Sequence, residues 1–262
     1  YNIAMLQELA ISNKYYYHHC ISFMMLGVWF YAIIKGKKLK NKNAKHKLST
    51  WIIAVCLLQE SIDFINRIFL DSNYIFSIQR DLPLLQFCQI SFYFSLLCIF
   101  LNRKNINNDT KYSFNQFLFD CAFLLGFSGA FQGIITPDFL NINNMIGVIC
   151  IQLQHSLIIL NLLWLISAYG YKLKFKGVCF TYLFINLMAL FALWFNKLLG
   201  VNTAGDSANY FYVNELPKID NFFLNFVSQY SSPNYILYIQ PILIIYFLGL
   251  YLPFMLLNKF KK

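Results

Sequence analysis

Charged side chains are what this sequence has least of, 12% of its 262 residues, against 58% hydrophobic and 19% aromatic. A soluble domain of this length keeps roughly 25% charged residues to hold its surface in water, so the composition is that of a bilayer protein. Paired cysteines are missing as well. The seven thiols, Cys20, Cys56, Cys88, Cys98, Cys121, Cys150 and Cys179, include no C-x-x-C and sit mostly inside apolar runs. That argues against a disulfide framework or a zinc site and for small apolar fillers at helix contacts. No cofactor and no metal are expected. The chain starts at Tyr1, and no charged stretch followed by a short apolar run and a cleavage site is visible. There is no internal repeat and no soluble domain. The charges that are present lean to one sign, 21 Lys and Arg against 11 Asp and Glu, a net +10. An excess of that size raises nucleic acid as a partner, but no basic face with interleaved stacking aromatics is present. The cations fall instead in short loops between apolar runs, which is how positive charge sets membrane topology.

A hydrocarbon core about 30 Å thick needs roughly 20 apolar residues per helix. Seven windows meet that length: 17–35, 49–70, 82–101, 113–135, 143–168, 177–200 and 233–257. The expected fold is an all-α, polytopic membrane helix bundle, a single transmembrane domain over 1–262. The first linker holds seven lysines from Lys35 to Lys47, the third Arg103, Lys104 and Lys111, the fifth Lys172, Lys174 and Lys176, and the tail Lys259, Lys261 and Lys262. The remaining cations are Lys14, Arg67, Arg80, Lys197 and Lys218. This bias places the N-terminus outside and the C-terminus in the cytoplasm, in the plasma or inner membrane, and an odd number of crossings agrees with it. The Lys/Asn-rich linker 35–48 reads as a solvated topogenic loop, with anionic lipid as the other reading. The outer segment 201–232 is expected to carry a short interfacial helix around Phe222 to Val227.

Ionisable groups inside spans are costly and mark a site or a structural pair. Glu60, Asp63 and Arg67 recur at intervals of three and four, hence on one helix face that must point into the bundle. Either Asp63 and Arg67 form an ion pair that ties helices together, or the face is a polar wall for a headgroup, with Arg67 holding a phosphate through its planar fork of donors. The third span adds Gln86, Cys88 and Gln89, and the fifth Gln152, Gln154, His155 and Asn161. Of the four histidines only His155 is predicted deep in a span; its bland reading is a hydrogen-bonding strut. At 1.5 Å per residue Cys88 is placed about 9 Å, and His155 about 18 Å, below the outer ends of their helices. If they meet, the imidazole can take the thiol proton and leave a nucleophilic thiolate.

Several stretches resemble one family as a set. Leu82-Pro83-Leu84-Leu85-Gln86-Phe87-Cys88 is similar to the Leu-Pro-Leu-His-Leu-Cys signature of the YwaF-like integral membrane proteins, the bacterial branch of the transmembrane protein 164 family. Gln86 stands near the position of the signature's His, and the Pro-to-Cys interval is one residue longer. Gln132-Gly133-Ile134-Ile135-Thr136-Pro137-Asp138 resembles the family's segment ending in Thr-Pro-Asp, and Gln154-His155-Ser156 falls where it has an intramembrane His. Asn209-Tyr210-Phe211-Tyr212-Val213 with Pro217, then Pro233-Asn234-Tyr235-Ile236 and Tyr251-Leu252-Pro253-Phe254, complete a collinear set from 82 to 254. The resemblance implies a multi-span fold and, by extension from the animal branch, a lipid acyltransferase with a Cys nucleophile and a His, which become Cys88 and His155.

The reading is a membrane-embedded enzyme that moves an acyl chain of a membrane phospholipid through a thioester on Cys88, with His155 as base and then acid. Asn66, Arg67, Gln89 and Asn209 are the candidates to position a headgroup or oxyanion. The alternative is a non-catalytic subunit or scaffold of a larger membrane complex, in which the same polar groups lock helices together. A transporter using Glu60 and Asp63 is the third class; the absence of a Gly/Pro-broken helix pair and of repeated halves speaks against it.

Overall fold

The computed structural model describes residues 3–83, 85–102, 112–137, 139, 142–217 and 222–259. Leu84 and Asp138 of the motifs lie outside these residues, as do Arg103, Lys104, Lys111, Lys218, Lys261, Lys262 and the side chain of Lys259. The regular structure of the described residues is almost entirely helical. Helix α1 runs Ile3–Lys38, and α2, Lys42–Ile65, continues through a π-helical turn, Asn66–Leu70. Helix α3 is Phe87–Asn102; α4, Phe114–Leu125, passes through a second π turn, Gly126–Ala130, into α5, Phe131–Ile135. Then come α6 (Met145–Tyr169), α7 (Phe175–Leu199), a 3-10 turn (Tyr210–Tyr212), α8 (Phe222–Val227), α9 (Tyr235–Tyr238) and α10 (Gln240–Lys259). Among the described residues the only β pairing is one isolated bridge, Val201 with Ser207.

Among the described residues six stretches are long and apolar enough to cross a bilayer: Asn13–Lys38, Lys42–Leu70, Phe114–Ile135, Met145–Tyr169, Phe175–Leu199 and Tyr235–Leu257. The shorter apolar α3 is the seventh helix of the bundle. Polar caps set the boundaries. Asn41 accepts from the Asn43 and Ala44 N–H groups at the start of α2, Ser113 from Gln116 at α4, and Asn144 from Gly147 at α6. Gly170, at φ 75°, ends α6 in the left-handed conformation that a residue without Cβ adopts freely. The short helix expected around Phe222 to Val227 is α8.

Helix α6 is the axis of the bundle. In its span 61% of the residues are buried inside the protein, against 6% in the span that contains α10. Four polar side chains of α6 reach three neighbouring helices, as the lack of water in a bilayer interior favours. Gln152 donates to Ser22 of α1 (2.5 Å), Gln154 to Glu60 of α2 (2.7 Å), Asn161 to Ser95 of α3 (3.1 Å), and the Trp164 indole to Ser49 of α2 (2.9 Å). The cysteines are more than fillers: Cys56 faces Asn161 (3.7 Å), Cys98 the Asn115 carbonyl (3.4 Å) and Cys121 the Thr181 hydroxyl (3.3 Å). All seven are free thiols.

Two expectations need correction. The third span was read from residue 82, but its helix begins at Phe87. Pro83 has no N–H, Leu82 donates its own to the Tyr210 hydroxyl (2.8 Å), and the Leu85 carbonyl accepts from Phe211 (3.2 Å), so these backbone groups join a loop rather than a helical ladder. Cys88 therefore lies in the first turn of α3 and not about 9 Å down it. The second concerns His18, which is 0% exposed. The first span begins near Asn13 and its start is covered by the segment after α5: Lys14 Nζ donates to the Ile142 carbonyl (2.6 Å), and the His18 ring meets Phe139 edge-on.

Candidate functional site

The first intrahelical bond of α3 runs from Ile90 N–H to the Gln86 carbonyl, at 3.0 Å. The N–H groups of Phe87, Cys88 and Gln89 precede that ladder and have no helical carbonyl to bond, and the positive end of the helix dipole lies at the same place. With 16 residues α3 extends about 24 Å, short of the ~30 Å hydrocarbon core. The segment before it is non-helical, and non-helical backbone at membrane depth persists only if protein satisfies it. Tyr210 and Phe211 supply those partners.

Cys88 and His155 each lie against a glycine of the helical segment formed by the second π turn and α5. A β-carbon on Gly129 would stand 2.7 Å from Cys88 Sγ and 3.4 Å from Cys88 N. A β-carbon on Gly133 would stand 2.4 Å from Cε1 and 2.6 Å from Nδ1 of His155. Gly129 and Gly133 are four residues apart, hence one above the other and about 6 Å apart along the axis. Only glycine lets a thiol and an imidazole approach the backbone this closely. Both side chains are half-buried, and among the described residues no hydrogen bond joins them.

The remaining candidates gather elsewhere. A cleft of about 370 Å³ opens between α2, α3 and the segment before α3, lined on its polar side by Glu60, Arg67, Asp81, Gln89 and Tyr93. Arg67 pairs with Asp63 at 2.8 Å and with Asp81 at 3.1 Å. The ion pair expected within α2 is present, extended by a carboxylate from the following loop that Tyr74 also binds. Burial, together with the hydrogen bond to Asp81 and its charge, pushes the Tyr74 hydroxyl up to about 12. Glu60 is held by the Tyr93 hydroxyl (3.0 Å) and Gln154 (2.7 Å). Two buried polar atoms of the wall have no partner among the described residues, Arg67 Nε and Gln89 Oε1. Gln89 follows Cys88 directly but lies about 100° around α3, so cleft and thiol occupy adjacent faces of one helix end.

The model of the TMEM164 family matches residues 11–251. The chain belongs to the TMEM164 family. No curated protein and no solved structure matches it. The matched range takes in Cys88, His155 and both glycines, so the paired faces lie within the family's own domain.

Asn66 and Asn209 sit apart from these two faces. Asn66 is 1% exposed and accepts from the Asn144 amide (2.8 Å), tying the π turn of α2 to the cap of α6. Asn209 accepts from the N–H groups of Asn214 and Glu215 (3.1 Å each) and donates to the Glu215 carbonyl (2.8 Å), which closes its own loop. Sequence reasoning passed over Gly129 and Gly133, although two glycines four apart in a membrane helix are the ordinary sign of close approach. It also passed over Asn196, whose amide brackets Tyr210 by accepting from its N–H (3.0 Å) and donating to its carbonyl (3.1 Å). Nothing but the fold joins those two.

Proposed function

We propose that this protein, read as YwaF-like on its Leu82-Pro83-Leu84 and Thr136-Pro137-Asp138 stretches, is a cell-membrane lipid acyltransferase with Cys88 as nucleophile and His155 as base. The observation that carries the reading is the glycine face: Gly129 against the Cys88 sulfur and, one turn on, Gly133 against the His155 imidazole. His155 takes the Cys88 proton, and the sulfur attacks the ester carbonyl of a phospholipid. The N–H groups at the start of α3, which precede its helical ladder, are donors for the oxyanion that forms. Collapse of that adduct breaks the ester C–O bond, and the proton passes from His155 to the departing lysolipid oxygen. The acyl chain is then a thioester on Cys88, and a hydroxyl of the acceptor lipid, deprotonated by His155, takes it and returns the thiol. The adjacent cleft suits the headgroup, with Arg67 Nε as donor and Gln89 Oε1 as acceptor.

The test is transfer of a labelled acyl chain between phospholipids by purified protein in detergent or vesicles. Wild type is expected to form a hydroxylamine-sensitive acyl adduct that maps to Cys88, and Cys88→Ala to abolish both adduct and transfer. Transfer by Cys88→Ala at the wild-type rate would overturn the reading.

A further inference from the structure

We infer that His18 is the third member of this site, a positioning residue that accepts a hydrogen bond from the His155 ring when His155 is charged; the inference rests on the reading just given. His18 is 0% exposed on α1. Its Nε2 lies 2.8 Å from the carbonyl oxygen of Ile134, which can only accept, so Nε2 carries the proton and Nδ1 of the neutral ring is a lone pair. That Nδ1 is buried and has no partner among the described residues. Buried acceptors are nearly always paired, so an orphan at a fully enclosed position calls for a role. The bond to Ile134 needs only a donor and leaves the lone pair unexplained.

Placement supplies the role. His18 binds the carbonyl of Ile134, and His155 lies against the α-carbon of Gly133, so α1 and α6 bring two imidazoles to consecutive residues of α5. Helices α1 and α6 are also clasped beside them: Ser22 donates to the His18 carbonyl (2.8 Å) and accepts from Gln152 (2.5 Å), and the Trp29 indole donates to the Ser156 carbonyl (3.0 Å). A base that has taken a thiol proton becomes a donor at both ring nitrogens, and nucleophile–base sites place a third group to hold the second one. In a bundle interior a neutral acceptor suits that task better than a carboxylate, whose burial is costly whenever the base is uncharged. The lone pair of His18 fills the place directly or through one bridging water.

The measurement is the rate at which iodoacetamide alkylates Cys88 in the full-length purified protein, relative to Cys179 in the same molecule as internal reference. His155→Gln, expected to slow Cys88 at least tenfold, tests the underlying reading; an unchanged ratio there sinks that reading and this inference with it. His18→Gln keeps a donor for Ile134 and an acceptor beside it, and is expected to stay within threefold of wild type. His18→Trp keeps the donor and lacks the acceptor; its larger ring is expected to lower the melting temperature, and in protein that still elutes as the folded species Cys88 is expected to slow about tenfold. Equal ratios in the two His18 variants, with His155→Gln slow, would make His18 a strut for Ile134 and overturn the inference alone.

Discussion

A β-carbon on Gly133 would lie 2.4 Å from Cε1 of His155, closer than side chains approach one another in folded proteins. Gly133→Ala must therefore displace the imidazole, since the backbone of α5 is held by His18 on the Ile134 carbonyl. Gly129→Ala presses in the same way on the Cys88 sulfur, at 2.7 Å. Misplacing a reacting group by about 1 Å costs on the order of 100-fold in rate. Each variant is expected to lose acyl transfer to that extent while eluting as the folded wild-type species. Transfer within threefold of wild type by either would show that the glycine face does not serve the chemistry.

A third glycine marks a structural hub at the opposite end of the bundle. Asp120 is 0% exposed and accepts from Tyr112 (2.9 Å), Gln116 (2.8 Å) and the backbone N–H of Lys174 (3.4 Å) at the start of α7. A β-carbon on Gly177 would stand 2.0 Å from its Oδ2. Gly177→Ala is expected to destabilise the protein by about 1–3 kcal/mol, the usual cost of overpacking, and to lower its melting temperature in detergent without changing Cys88 alkylation. Because the two residues touch, the double variant with Asp120→Ala should cost less than the sum of the single changes. Additive costs would mean that the carboxylate does not fill the space above Gly177.

Legibility in the sequence followed the physics of each feature. Spans were readable because the hydrocarbon thickness imposes a run length: five of the seven windows match a span within four residues at both ends, while the second starts seven residues late and the third five residues early. The Asp63–Arg67 pair was readable because i and i+4 share a helix face whatever the tertiary structure. What escaped was set by contacts distant in sequence. The start of α3 depends on Tyr210, 128 residues from Leu82, and the burial of His18 on Ile134, 116 residues away. Asp81, the second partner of Arg67, comes from a loop that carries no periodicity. That Cys88 and His155 each lie against a glycine of one helical segment was not legible from spacing, because positions along two helices say nothing about their relative height.

The Tyr74–Asp81 contact predicts an alkaline loss of stability. The Tyr74 hydroxyl is pushed up to about 12 in the folded protein, from an unfolded value near 10, by burial first and by Asp81 second. A raised value means that the proton is held more tightly in the folded state. Its contribution is therefore complete below pH 10 and is lost as pH climbs from about 10 to 12. The stability difference between wild type and Tyr74→Phe is expected to be constant from pH 7 to 9 and to shrink above pH 10 by up to about 2 kcal/mol. Melting curves of both proteins across that range check it; a difference that does not change up to pH 12 would show that Tyr74 is not held by Asp81.

The clamp formed by Asn196 and Tyr210 predicts control of Cys88 from a distance. Tyr210 is 1% exposed; its hydroxyl donates to the Ile78 carbonyl (2.7 Å) and accepts from Leu82 N–H (2.8 Å). It thereby holds the non-helical segment that leads into α3 at both ends. Its backbone is fixed in turn by Asn196, and Phe211 and Tyr212 follow at φ 59° and 51°, a left-handed conformation costly for such side chains and kept only because neighbours dictate it. Phe211 uses that conformation to reach the Leu85 carbonyl and to meet the Phe87 ring edge-on, at 5.0 Å. Tyr210→Phe keeps the ring and removes only the hydroxyl, leaving the part-buried Ile78 carbonyl and Leu82 N–H without that partner, at about 1 kcal/mol each. The freed segment should exchange its amide hydrogens faster from Leu85 to Gln89, and Cys88 alkylation should change about tenfold. Asn196→Ala should reproduce both effects, and the two substitutions together should do little more than either alone, because they break one clamp. Unaltered exchange at 85–89 in both variants would show that α3 keeps its start without the clamp.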